Sequence, residues 1–141
     1  MHTFSRAVMA FATAAAMTSG AAQAAGNLAS NGTDLEIKID TENLTYSQNE
    51  FVLETGKYYR LSVTSDGGDE IAWFAPELWR NSWINQIVAN DLEVKVWGLY
   101  SLEFDAAGTI DVTFVPIRPG EYEFYSPGYE DKGLKGKFVV N

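Results

Sequence analysis

The chain has no cysteine and a single histidine among 141 residues. Without thiols it has no disulfides, no thiolate metal ligands and no thiol nucleophile. One imidazole does not build a multi-histidine metal centre and leaves little for histidine-based catalysis. Basic residues are also scarce: 10 Lys and Arg stand against 19 Asp and Glu, a formal net charge of -9. That balance does not neutralise a run of phosphates, so a nucleic-acid partner is excluded. The one extended apolar stretch, near the N-terminus, is short for a bilayer span and rich in alanine. The length is that of one domain.

Residues 1–24 read as a secretory signal peptide. Arg6 supplies the positive start, residues 7–17 the apolar segment, and Ala22-Gln23-Ala24 the small-residue cleavage pattern. Cleavage after Ala24 removes His2, Met1, Met9 and Met17 together with Arg6. The mature chain then holds no Cys, His or Met, and nine basic side chains face 19 acidic ones. The expected location is periplasmic or secreted, with no stable membrane span left after cleavage. Residues 25–34 are small and polar and read as a flexible leader. Residues 35–141 form the domain.

That domain reads as strands. Leu35, Ile37 and Ile39 alternate with polar neighbours, as do Phe51 and Leu53, then Tyr59, Leu61 and Val63. Ile110, Val112 and Phe114, then Tyr122 and Phe124, and finally Phe138 and Val140 repeat the pattern. Gly56-Lys57, residues 65–68 and Pro119-Gly120 supply turns. About six to eight short strands with β-branched and aromatic cores predict an all-β, two-sheet sandwich. One segment differs. Across residues 76–89, Leu78, Trp79, Trp83 and Ile87 have near-helical spacing, and Pro76 suits a helix start with Glu77 in the first turn. A short helical or irregular excursion is expected there.

The last 26 residues resemble the end of a cupredoxin. Val115-Pro116, Arg118-Pro119-Gly120-Glu121-Tyr122, Phe124-Tyr125-Ser126-Pro127-Gly128-Tyr129, Gly133-Leu134-Lys135-Gly136 and Phe138-Val139-Val140 follow that family's order. Phe51 to Lys57, followed by Tyr59 to Val63, resembles its second and third strands more diffusely. The resemblance, of the plastocyanin and azurin type, implies a cupredoxin-like Greek-key β-sandwich over residues 35–141. It also implies a copper-ligand loop with cysteine, histidine and methionine. Those positions fall on Ser126, Tyr129 and Leu134, and the first histidine position falls near Ile71 or Ala72. A blue-copper centre needs a thiolate and imidazoles. The mature chain has neither, so type 1 copper is excluded and no cofactor is expected.

Two uses of such a scaffold remain. A partner surface is one: Trp79, Arg80 and Trp83 lie close in sequence, and aromatic and Arg side chains are enriched in interface centres. The same rings also suit a core, Trp73 most of all, while Trp97 beside Gly98 reads as structural. The alternative is a hard divalent or ferric ion, or an oxygen-rich solute, held by Asp69, Glu70, Tyr129 and Glu130. Solvent-facing turns are the plainer home for those acids. No catalytic residue is assigned. There is no His base and no G-x-S-x-G, and Glu121 and Glu123 share one strand face instead of facing each other across a cleft. The expectation is an exported, non-catalytic binding or accessory protein with a periplasmic protein partner.

Overall fold

Alternation of apolar and polar side chains lays down both sheets. The computed structural model describes Leu28 and residues 30–141. The signal-peptide reading of residues 1–24 lies outside them, as do residues 25–27 and 29 of the 25–34 leader. In chain order the elements are β1 (Thr33–Asp40), β2 (Thr45–Tyr46), β3 (Glu50–Leu53), β4 (Tyr59–Ser65), β5 (Ile71–Phe74) and helix α1 (Pro76–Arg80). There follow β6 (Ser82–Ala89), β7 (Leu92–Val94), β8 (Ser101–Phe104), β9 (Gly108–Pro116), β10 (Gly120–Tyr125), a 3-10 turn (Glu130–Lys132) and β11 (Lys135–Val140). One sheet runs β2-β1-β4-β9-β6-β7 and the other β3-β11-β10-β5-β8. Among the described residues, only the β1–β4 and β3–β11 pairs are parallel. This is the expected all-β Greek-key sandwich.

The strictest alternation gives the cleanest burial. In β4, Tyr59, Leu61, Val63 and Ser65 are buried, while Arg60, Ser62 and Thr64 between them are partly exposed. Ile37 and Ile39 of β1, and Val112 and Phe114 of β9, close that sheet's inner face. From the other sheet come Phe51, Leu53, Trp73, Phe124, Phe138 and Val140, all buried. Rings link the two layers: Trp73 lies 5.6 Å from Phe124 and 6.1 Å from Trp79, and Trp79 lies 5.4 Å from Phe114.

Two expectations change. Thr33 and Asp34, read as the end of a leader, already pair with Tyr59 and Arg60, and Arg60 donates to Asp34 at 2.9 Å. Strand β1 therefore begins before Leu35. The excursion at 76–89 is helical only over Pro76–Arg80, and Ser82–Ala89 is a strand. The register shifts between Ile84 and Gln86. Asn85 is the extra residue of a β-bulge, so Ile84 and Ile87, three apart, both face inward. That spacing imitates one face of a helix.

The loops that matter gather at one end. A side-chain carbon built on Gly67 would meet Ala107, one on Gly68 would meet Thr41, and one on Gly133 would approach the Leu44 carbonyl. Loops 41–44, 66–70, 105–107 and 126–134 therefore converge.

Candidate functional site

Ser126 leaves β10 at this loop end and is fully buried. Its hydroxyl shares a hydrogen bond of 2.8 Å with the Tyr46 phenol, from the two-residue strand β2. The 126–134 loop closes on itself. Ser126 N–H donates to the Leu134 carbonyl at 3.0 Å, Tyr129 N–H to the Ser126 carbonyl at 3.0 Å, and Leu134 N–H to the Tyr129 carbonyl at 3.1 Å. Leu134 is wholly buried, and Tyr129 is partly buried beneath the Lys132 ammonium, 5.2 Å from its ring centre. Tyr46 was not singled out from the sequence. Its signal is faint: one aromatic in a polar stretch, on a strand of two residues.

Burial pushes the Tyr46 phenol above the usual tyrosine range. The Ser126 hydrogen bond opposes this, and the Glu130 charge adds to the rise. The fold therefore prefers the neutral phenol, which cannot serve as a base for Ser126. Below the ordinary tyrosine pKa, folded and unfolded chains both keep this proton. Above about pH 10 the unfolded chain releases it first, so stability falls as pH rises. In the Tyr46→Phe variant this share of the alkaline loss is expected to vanish. Denaturation midpoints of both proteins on either side of about pH 10 check it: an unchanged pH slope would show that Tyr46 does not carry the effect.

The acidic residues do not converge. Asp69 and Glu70 are exposed and Glu130 is partly exposed. Asp66 spends its oxygens locally: it accepts from the Thr41 hydroxyl at 2.8 Å, the Thr41 N–H at 3.0 Å and the Gly68 N–H at 3.2 Å. The Thr41 hydroxyl, then the Gly68 and Thr41 N–H groups, hold its carboxyl below the usual range. Among the described residues, no three His, Cys, Asp or Glu side chains come together to hold a metal ion. Asp69, Glu70 and Glu130 therefore form no such carboxylate group. Glu121 and Glu123 are exposed on the outer face of β10, where Lys137 bridges Glu121 and Glu50 at 3.4 and 3.7 Å.

The tryptophans divide differently from expectation. Trp79 is buried between Trp73 and Phe114, because α1 turns it into the core, so it is not part of a surface. Arg80 is exposed and paired with Glu77 one turn back. Trp83 remains half-exposed on the outer side of β6. Trp97, read as structural, is completely exposed at 108% of its reference area. Near it in sequence Leu92 is 70% exposed, Val94 51% and Tyr100 69%, the Tyr100 ring standing edge-on to Phe74 at 5.2 Å. These side chains lie on β7 and on the segment leading to β8, which are the edge strands of the two sheets.

No protein-family model and no curated protein matches the sequence. Solved structures do. Laccase from Pediococcus acidilactici Pa5930 superimposes with a TM-score of 0.64 at 8% identity, over 79% of this chain and 27% of that one. A multicopper oxidase matches with a TM-score of 0.58 at 9% identity, over 77% of this chain and 44% of that one. Auracyanin A, a blue copper protein of Chloroflexus aurantiacus, matches with a TM-score of 0.51 at 18% identity, over 77% of this chain and 98% of that one.

The fold is cupredoxin-like. The chain spans less than half of the multicopper oxidase and of the laccase, and nearly all of auracyanin A. In this cupredoxin-like chain the copper does not fit. There is no cysteine to supply a thiolate. Ser126, where the sequence resemblance puts that cysteine, is buried against Tyr46. Leu134, where that resemblance puts the methionine, belongs to the hydrophobic core.

Proposed function

We propose that this chain is an exported, non-catalytic binding module that uses a cupredoxin-like scaffold to dock a protein. The observation that carries this reading is the group Leu92, Val94, Trp97 and Tyr100. Four large apolar side chains stand in solvent on one short stretch at a sheet edge. Single exposed apolar residues are ordinary, whereas a group rimmed by polar residues marks an interaction site. The 126–134 loop offers nothing comparable at Ser126 and Leu134, which are internal. Export rests on the signal-like residues 1–24, and the partner is accordingly expected outside the cytoplasm.

Site-specific photo-cross-linking tests the reading. A photoreactive phenylalanine analogue replaces Trp97 in the full chain expressed in its native host, and in a second variant replaces Val52, which is 65% exposed on β3. A discrete adduct at position 97 and none at position 52 is expected. Equal labelling at both sites, or none at 97, would remove the reason for placing a docking surface on β7.

A further inference from the structure

We infer that the partner docks by adding an extended segment of alternating apolar and basic residues to β7, as a further strand of the first sheet. This rests on the docking reading above and specifies its occupant.

Three observations select that chemistry. The first is the open edge. Strand β7 is the last strand of its sheet. Beyond it, residues 96–100 join no ladder and make none of the turn or loop backbone hydrogen bonds among the described residues. Edge groups of this kind are a template for strand addition. Asn90 and Asp91, with φ of 50° and 63°, form the two-residue turn that sends β7 back along β6. The edge is therefore set by a tight hairpin.

The second is the pleat. Leu92 and Val94 pair with Ala89 and Ile87, so they continue the inner, apolar side of the sheet. Glu93 pairs with Val88 and points to the opposite side. An added strand meets apolar neighbours at every second residue and a carboxylate between them.

The third is charge. Between Arg80 and Arg118 the chain has one basic residue, Lys95, and five acids, of which Asp91 and Glu93 stand at the β7 hairpin itself. Lys95 donates to the Gln86 side-chain oxygen and lies 3.9 Å from Glu93, which itself accepts from the Gln86 amide at 3.3 Å. Both Glu93 and Lys95 stay exposed at the edge, with Asp91 beside them. A second copy of the chain would bring the same acids against themselves on molecules of net charge -9. A cationic segment is attracted instead.

The test uses a soluble peptide of alternating valine and lysine, and a control with glutamate in place of each lysine, titrated into the domain by calorimetry. Tryptophan emission is followed in parallel in the native protein and in Trp97→Phe. The valine–lysine peptide is expected to bind at least about tenfold more tightly than the control, to weaken with salt, and to shift the emission to the blue only where Trp97 is present. Glu93 is exposed, and circular dichroism checks that the Glu93→Lys variant keeps the fold. The substitution should cost about tenfold or more in affinity. Alternate N–H groups of an edge strand face its neighbour. Of two peptides N-methylated in opposite phases, one should therefore lose binding and the other keep it. Equal binding of both charge forms, indifference to Glu93→Lys, or equal effects of the two methylation phases would overturn the inference. Cross-linking at position 97 without binding of the cationic peptide would sink the strand-addition chemistry and leave the docking surface standing. Loss of the cross-link would sink both.

Discussion

Replacing Phe124 by alanine is expected to destabilise the domain by about 3–5 kcal/mol. The ring is fully buried. It touches four other rings at once: Phe138 at 5.0 Å, Tyr46 at 5.5 Å, Trp73 at 5.6 Å and Phe51 at 6.1 Å between centroids. Truncation removes the transfer free energy of the ring and leaves a cavity whose rigid aromatic walls cannot collapse. Against a total stability of about 5–15 kcal/mol for a domain, that is a large fraction. The opposite strand shows how tightly the ring is fitted. Gly136 pairs with Phe124, and a side-chain carbon built on it would lie 2.2 Å from the Phe124 ring and 2.4 Å from the Asn49 carbonyl. Gly136→Ala is therefore destabilising as well, and Phe124→Ala relieves it only in part. The Asn49 carbonyl accepts from Lys137 N–H at 2.8 Å and cannot move away freely. Urea denaturation with an unchanged slope measures the effect. A loss below about 1 kcal/mol would place Phe124 outside the core that organises this sheet.

How much was legible in the sequence follows from how local each signal is. Strands such as β4 and β10 obey a period of two without interruption, and their inner faces could be read directly. Strand β6 could not. The bulge at Asn85 resets the phase, so Ile84 and Ile87 present a helical spacing inside a strand. The real helix covers only Pro76–Arg80. A counter-signal was present: Ile84, Ile87 and Val88 are β-branched, and Asn90-Asp91 is a turn pair of the kind that joins two strands. The surface was harder still. Whether Trp79 or Trp97 faces water depends on how α1 and β7 pack, and neighbouring residues look alike in both cases. The resemblance assigned ligand positions to Ser126, Tyr129 and Leu134, but it said nothing of what those side chains touch. Tyr46 and Ser126 meet across 80 residues of sequence, a distance over which no periodicity carries information.

The Tyr46–Ser126 pair should behave as a coupled unit. Both side chains are buried and share one hydrogen bond of 2.8 Å. Tyr46→Phe removes the phenol oxygen and leaves the Ser126 hydroxyl without that partner. Ser126→Ala does the converse. Each change alone is expected to cost about 1–3 kcal/mol, the desolvation penalty of a buried polar group that has lost its bond. Removing both leaves two apolar groups of similar shape, and the double variant should lose clearly less than the sum. A coupling energy of about 1 kcal/mol or more is expected from the double-mutant cycle. Additive losses would mean that water satisfies each hydroxyl independently. The measurement bears on function because of where the pair sits. At the position where the cupredoxin resemblance places a cysteine ligand, this chain holds an internal polar contact that ties the 126–134 loop to β2. A strongly coupled pair makes that end of the sandwich a structural closure. The docking surface proposed above lies elsewhere, at the exposed apolar edge of β7.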